Sequence, residues 1–132
     1  MGRSQGPAAA GQRTLTALGC VMLFVLGAVQ GLIGSFQYSQ PPAPLIAIVL
    51  VVIIFATCAG CGWGVGSFGA ALLPAAGWLL ASFIIAMPRP NGSVVITASA
   101  AGEWYLYGGA LACAAGCVSG FFARLRRSAP PR

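Results

Sequence analysis

TLTALGCVMLFVLGAVQGLIGSFQYSQPPAPLIAIVLVVIIFATCAGCGWGVGSFGAALLPAAGWLLASFIIAMP, residues 14–88, is a run of 75 residues without one Asp, Glu, Lys, Arg or His. A second charge-free run, residues 104–123, lies between Glu103 and Arg124. The 132-residue chain carries seven arginines, a single acid and no histidine, so that 6% of it is charged and 58% is hydrophobic. A soluble domain carries roughly 25% charged residues, because a water-facing surface needs them. Eight ionic side chains cannot coat a globule of this size. This composition excludes a soluble enzyme, a nucleic-acid-binding domain and a disordered tail. The class is an all-α integral membrane protein.

A membrane helix needs about 20 mostly apolar residues, because ~30 Å of hydrocarbon is crossed at ~1.5 Å per residue. The long run is too long for two spans with tight turns and suits three. The polar stretch QYSQPPAP (37–44) holds three prolines and cannot continue a helix. The alternate glycines of GWGVGSFG (62–69) disfavour helix and supply a turn. PRPNG (88–92) ends the third span. The expected spans are 14–36, 45–61, 69–87 and 102–123, a four-transmembrane-helix bundle between basic tails 1–13 and 124–132. A single helix from Leu45 to Met87 would be roughly 64 Å long, twice the hydrocarbon thickness. A hairpin is therefore expected at 62–68, with a re-entrant loop as the alternative.

Positive charge near span ends stays in the cytoplasm. Arg3 and Arg13 precede the first span, and Arg124, Arg126, Arg127 and Arg132 follow the last; only Arg89 lies in a loop. An even span count and the arginine asymmetry agree on cytoplasmic termini and external 37–44 and 88–101 loops. The expectation is a multi-pass protein of the plasma membrane, the inner membrane of a bacterium. Phe36, Tyr38, Trp104, Tyr105 and Tyr107 would form the outer aromatic belt, and Trp63, Phe68, Phe121 and Phe122 the inner one. The first apolar run exceeds the 7–15 residues of a signal-peptide core and lacks a clean cleavage site, so it reads as an uncleaved anchor.

In lipid, small residues spaced four apart mark where helix backbones approach. Gly108, Ala112, Gly116 and Gly120 form one such seam; Gly19, Gly27, Gly31 and Ser35 lie along another. In the second span Ala56, Gly60 and Gly64 make one register and Cys58, Gly62 and Gly66 a second. These seams serve intramolecular packing, or they join a second copy or a larger membrane protein. Pro74 removes one helical hydrogen bond and predicts a kink. Trp78, one turn later, fills space opposite the small residues or walls a lipid or quinone pocket.

Few residues offer chemistry. Cys58-x-x-Cys61 and Cys113-x-x-x-Cys117 place thiols on common helical faces, but no basic neighbour stabilises a thiolate and no loop cysteine shuttles oxidation outward. No His or carboxylate accompanies them as a metal ligand. Gln30 is the one amide well inside a span, with Thr57, Ser82 and Ser119 as weaker polar points that the preceding helical turn can satisfy. Glu103 and Arg89 are a candidate outer ion pair. No catalytic, cofactor or metal site is expected. The basic tails should lie against anionic lipid headgroups at roughly 1 kcal/mol per arginine.

The stretch Leu72-Leu73-Pro74-Ala75-Ala76-Gly77-Trp78, followed by Pro88-Arg89-Pro90-Asn91-Gly92-Ser93-Val94-Val95-Ile96, resembles a family of small actinobacterial integral membrane proteins of unknown function. That family has a Pro-Ala-x-Gly-Trp third helix, a Pro-Arg-Pro-x-Gly loop and an apolar triplet. Its loop carries acids where this chain has Asn91 and Ser93, so a role resting on those acids does not transfer. The resemblance implies the four-span layout and supplies no catalytic residue. The expected function is a non-catalytic accessory or structural membrane subunit. A small transporter or channel element is the alternative, and a membrane thiol oxidoreductase comes third.

Overall fold

A computed structural model describes residues 6–42, 44–93, 95–96 and 98–130. Among these residues there are no strands. Four helices dominate: α1 (Pro7–Gln37), α2 (Leu45–Val65), α3 (Phe68–Ala86) and α4 (Ala100–Ser128). Each is long and apolar enough to cross a bilayer. Arg3, Ala43, Val94 and Arg132 lie outside the described residues.

The helices overrun the apolar segments that define them. α1 opens at Pro7, where proline's fixed φ suits the first helical turn and its missing N–H costs nothing. α4 opens two residues before the expected start, with Ser99 Oγ accepting from the Gly102 N–H at 3.3 Å, and runs five residues past Ala123. The larger difference is in the middle of the chain. The expected break at 62–69 shrinks to Gly66 and Ser67, and Gly62 and Gly64 are helical. Glycine's low helix propensity is a preference measured in water. In a bilayer an unpaired backbone amide costs several kcal/mol, so helix continues until a residue can turn. Gly66 makes the turn at φ 66°, with its N–H returning to the Gly62 carbonyl at 2.9 Å. The α2–α3 connection is a hairpin.

The tightest contacts join alternate helices. An added Cβ on Gly27 would overlap the Pro74 backbone, one on Gly77 would overlap the Phe24 carbonyl, and one on Gly31 would lie 2.9 Å from the Trp78 carbonyl. These pairs advance together along both helices, so α1 and α3 are parallel. α2 and α4 pair the same way. Gly108 lies against Val51, Gly116 against Cys58 and Gly120 against Gly62, where an added Cβ would meet the facing glycine at about 3 Å. The seam Gly108–Ala112–Gly116–Gly120 thus faces the Cys58–Gly62 register of α2. Cβ atoms placed on Gly60 and Gly64 meet nothing within 4 Å, so the other register is turned to the lipid.

α3 is the central helix, with eight buried residues, and it touches all three others. Pro74 sits inside it, buried, its backbone supporting Gly27. The chain between α3 and α4 closes one end of the bundle. Gly92 at φ 76° and Asn91 Oδ1, which accepts from the Ser93 N–H and hydroxyl, form a tight turn. Beyond it Ile96 is buried, and Tyr38 Oη donates to the Val95 carbonyl at 3.2 Å.

Candidate functional site

The polar groups inside the bundle gather near its loop-capped end, where three helices meet around Tyr105. A π-helical turn, Trp104–Gly108, interrupts α4 there and re-aims its side chains by one residue. Tyr105 points inward and is 1% exposed, whereas Trp104 and Tyr107 face outward. Its ring stacks on Tyr38 at 5.6 Å and meets Trp78 edge-on at 5.4 Å. Its hydroxyl donates to the Gly31 carbonyl at 3.0 Å and lies 3.4 Å from Ser82 Oγ. Ser35 Oγ donates to the same Gly31 carbonyl at 2.7 Å. The ring has room because Gly34 has no side chain, and Trp78 because Gly109 has none.

Tyr38 and Tyr105 are therefore core residues, not members of an outer belt. Their apolar rings and polar tips suit either position. The sequence carries one signal for the difference, the glycine at position 34, which is legible only once the Tyr105 side chain is known to reach α1.

A second polar contact ties α1 to α2. Gln30 Nε2 donates to Thr57 Oγ1 at 2.8 Å, and that hydroxyl donates to the Ile53 carbonyl at 2.9 Å. Gln30 Oε1 is buried with no hydrogen-bond partner. Gln30 also lines a narrow cleft of about 150 Å³, together with Ile33, Leu50, Ile53, Trp78 and Tyr105. The cleft is almost wholly apolar, with one unsatisfied acceptor at its edge. Such an arrangement orients helices and admits an alkyl segment or a water molecule, and it holds no ionic group.

The remaining sequence candidates stay apart from this centre. Arg89 and Glu103 are both exposed, and no ion pair joins them. Glu103 instead lies in the first turn of α4, where the helix dipole favours its charge, beside a shallow groove with Trp104 and Tyr107. Two exposed side chains gain little by pairing, because water solvates each of them well. The five cysteines are free thiols. Cys58 meets Cys113 across the α2–α4 seam rather than pairing with Cys61 along its own helix. Among the described residues no three His, Cys, Asp or Glu side chains come together as a metal site.

Four apolar helices locked by small-residue seams, with their polar side chains turned on one another, define a multi-pass membrane protein. Residues 4–129 match the family of unknown function DUF6113, and the chain belongs to that family. Comparison with curated proteins and with solved structures gives no match.

Proposed function

We propose that this protein is a non-catalytic accessory or structural subunit of the plasma membrane, docking through α1. One observation carries the reading: α1 is held almost entirely by α3, and residues 11–19 are exposed on every side. Gly19 continues the seam of Gly27 and Gly31, yet a Cβ there meets nothing within 4 Å. A small residue in that position suits close approach by a helix of another protein or of a second copy. Mild detergent extraction should recover the protein with a membrane partner in fixed stoichiometry. Gly19→Leu should abolish the association while leaving the monomer's own stability unchanged. Recovery as a lone monomer, or an association indifferent to Gly19→Leu, rejects this reading. The unsatisfied Gln30 Oε1 favours a second reading, a small transport element, which predicts solute flux in proteoliposomes that Gln30→Leu removes.

The proposed orientation places both termini in the cytoplasm, on the strength of Arg13 and the Arg124–Arg127 cluster. An impermeant thiol reagent should then label an Asn91→Cys variant in intact cells. Labelling only after lysis inverts the topology.

A further inference from the structure

The end of the bundle at the α2–α3 turn carries a groove that none of the preceding roles uses. It is lined by Trp63, Ser119, Phe122, Ala123, Arg126 and Arg127 and encloses about 480 Å³. Its walls are fixed by two long-range hydrogen bonds. Trp63 Nε1 donates to the Ser119 carbonyl at 3.3 Å, and Arg127 Nη2 donates to the Trp63 carbonyl at 2.7 Å. The second bond holds a cation against the last turn of α2, where the helix dipole is negative, and the guanidinium packs beside Gly66. One N–H of five is spent there, leaving the rest of the fork available. Among the described residues Arg126 has no partner. The two rings, Trp63 and Phe122, are more than half exposed.

We propose that this groove is a binding site for one anionic phospholipid. The phosphodiester would sit on Arg126 and the free edge of Arg127, with an acyl chain along Trp63 and Phe122. Charge selects the occupant. The chain's only acid, Glu103, lies 23 residues before Arg126 on the same helix, about 35 Å away at 1.5 Å per residue. No acidic side chain therefore competes for these arginines. Depth selects it as well, because the arginines follow directly on the apolar residues 104–123 and a tryptophan stands at the same level, as at a headgroup boundary. Arginine's planar fork suits phosphate, and a fixed fork loses less entropy on binding than a free one. The inference goes beyond diffuse attraction of the basic tail and does not depend on the docking role proposed for α1.

Purified protein in neutral detergent, titrated with phosphatidylglycerol or phosphatidylcholine and read by native mass spectrometry, tests it. One phosphatidylglycerol per chain should be retained, with about tenfold preference over phosphatidylcholine. Arg126→Gln should reduce that retention about tenfold, the effect of losing one charge-assisted hydrogen bond. Arg126 makes no contact that folding needs, so this variant stays folded. Arg124→Gln should leave retention unchanged, because Arg124 does not line the groove. Equal retention of both lipids, equal effects of Arg124→Gln and Arg126→Gln, or displacement by millimolar inorganic phosphate would each overturn the proposal. The first outcome indicates an apolar groove, the second a diffuse basic surface, and the third a free-anion site.

Discussion

Gly27→Leu is expected to destabilise the protein by about 3 kcal/mol, at or above the upper end of ordinary overpacking. That is roughly a hundredfold in the ratio of folded to unfolded chain. The atom an added Cβ would strike is the backbone of Pro74, which cannot rotate away as a side chain can. Relief requires α1 to move off α3, and α3 is its principal neighbour. Denaturation in mixed micelles of dodecyl sulfate and a neutral detergent would measure the loss. Gly19→Leu is the matched control, with the same substitution on the same helix where the space is open. Equal midpoints for the two variants would show that the α1–α3 seam does not set stability.

Trp78→Ala is the second large effect. The indole is 2% exposed, fills the space left by Gly109 and meets the Tyr105 ring edge-on. In aqueous cores such truncations cost about 3–5 kcal/mol, from lost transfer energy plus a cavity. Between helices in lipid the transfer part nearly vanishes, because the unfolded reference is also apolar, and packing remains. A loss of about 2–3 kcal/mol is therefore expected. Trp78→Phe, which keeps an aromatic edge beside Tyr105, should recover at least half of it. Gly109→Ala should be comparably harmful, since its Cβ would overlap the same indole. A change below about 0.5 kcal/mol for Trp78→Ala would place the indole outside the packed core, in the range of ordinary surface substitutions.

Much of the architecture was legible because a bilayer leaves the chain few options. Seventy-five uncharged residues broken by QYSQPPAP, a glycine turn and PRPNG divide into three spans on length alone. Small residues at a spacing of four mark where helices approach. Which seams meet is another matter. α2 offers two small-residue registers, and only the contact with Gly116 and Gly120 selects Cys58 and Gly62 over Gly60 and Gly64. The same limit explains the aromatic residues. Tyr38 and Tyr105 near span ends look like belt residues until the π-helical turn and Gly34 draw them inside. The Gln30–Thr57 bond and the Arg127–Trp63 bond join residues 27 and 64 positions apart, and no local pattern encodes either.

By itself the sequence determined the class of protein, the number of spans and the residues able to bring helices close. Each of these follows from hydropathy, length and side-chain size, which are local quantities. The tertiary structure decided the pairing of α1 with α3 and of α2 with α4, the turning inward of the Tyr105 cluster, and the groove at the α2–α3 turn. Those features depend on which surfaces fit. Where lipid tails are as apolar as the side chains, the choice among helix faces rests on steric fit and a few hydrogen bonds, and these exist only once the helices are assembled.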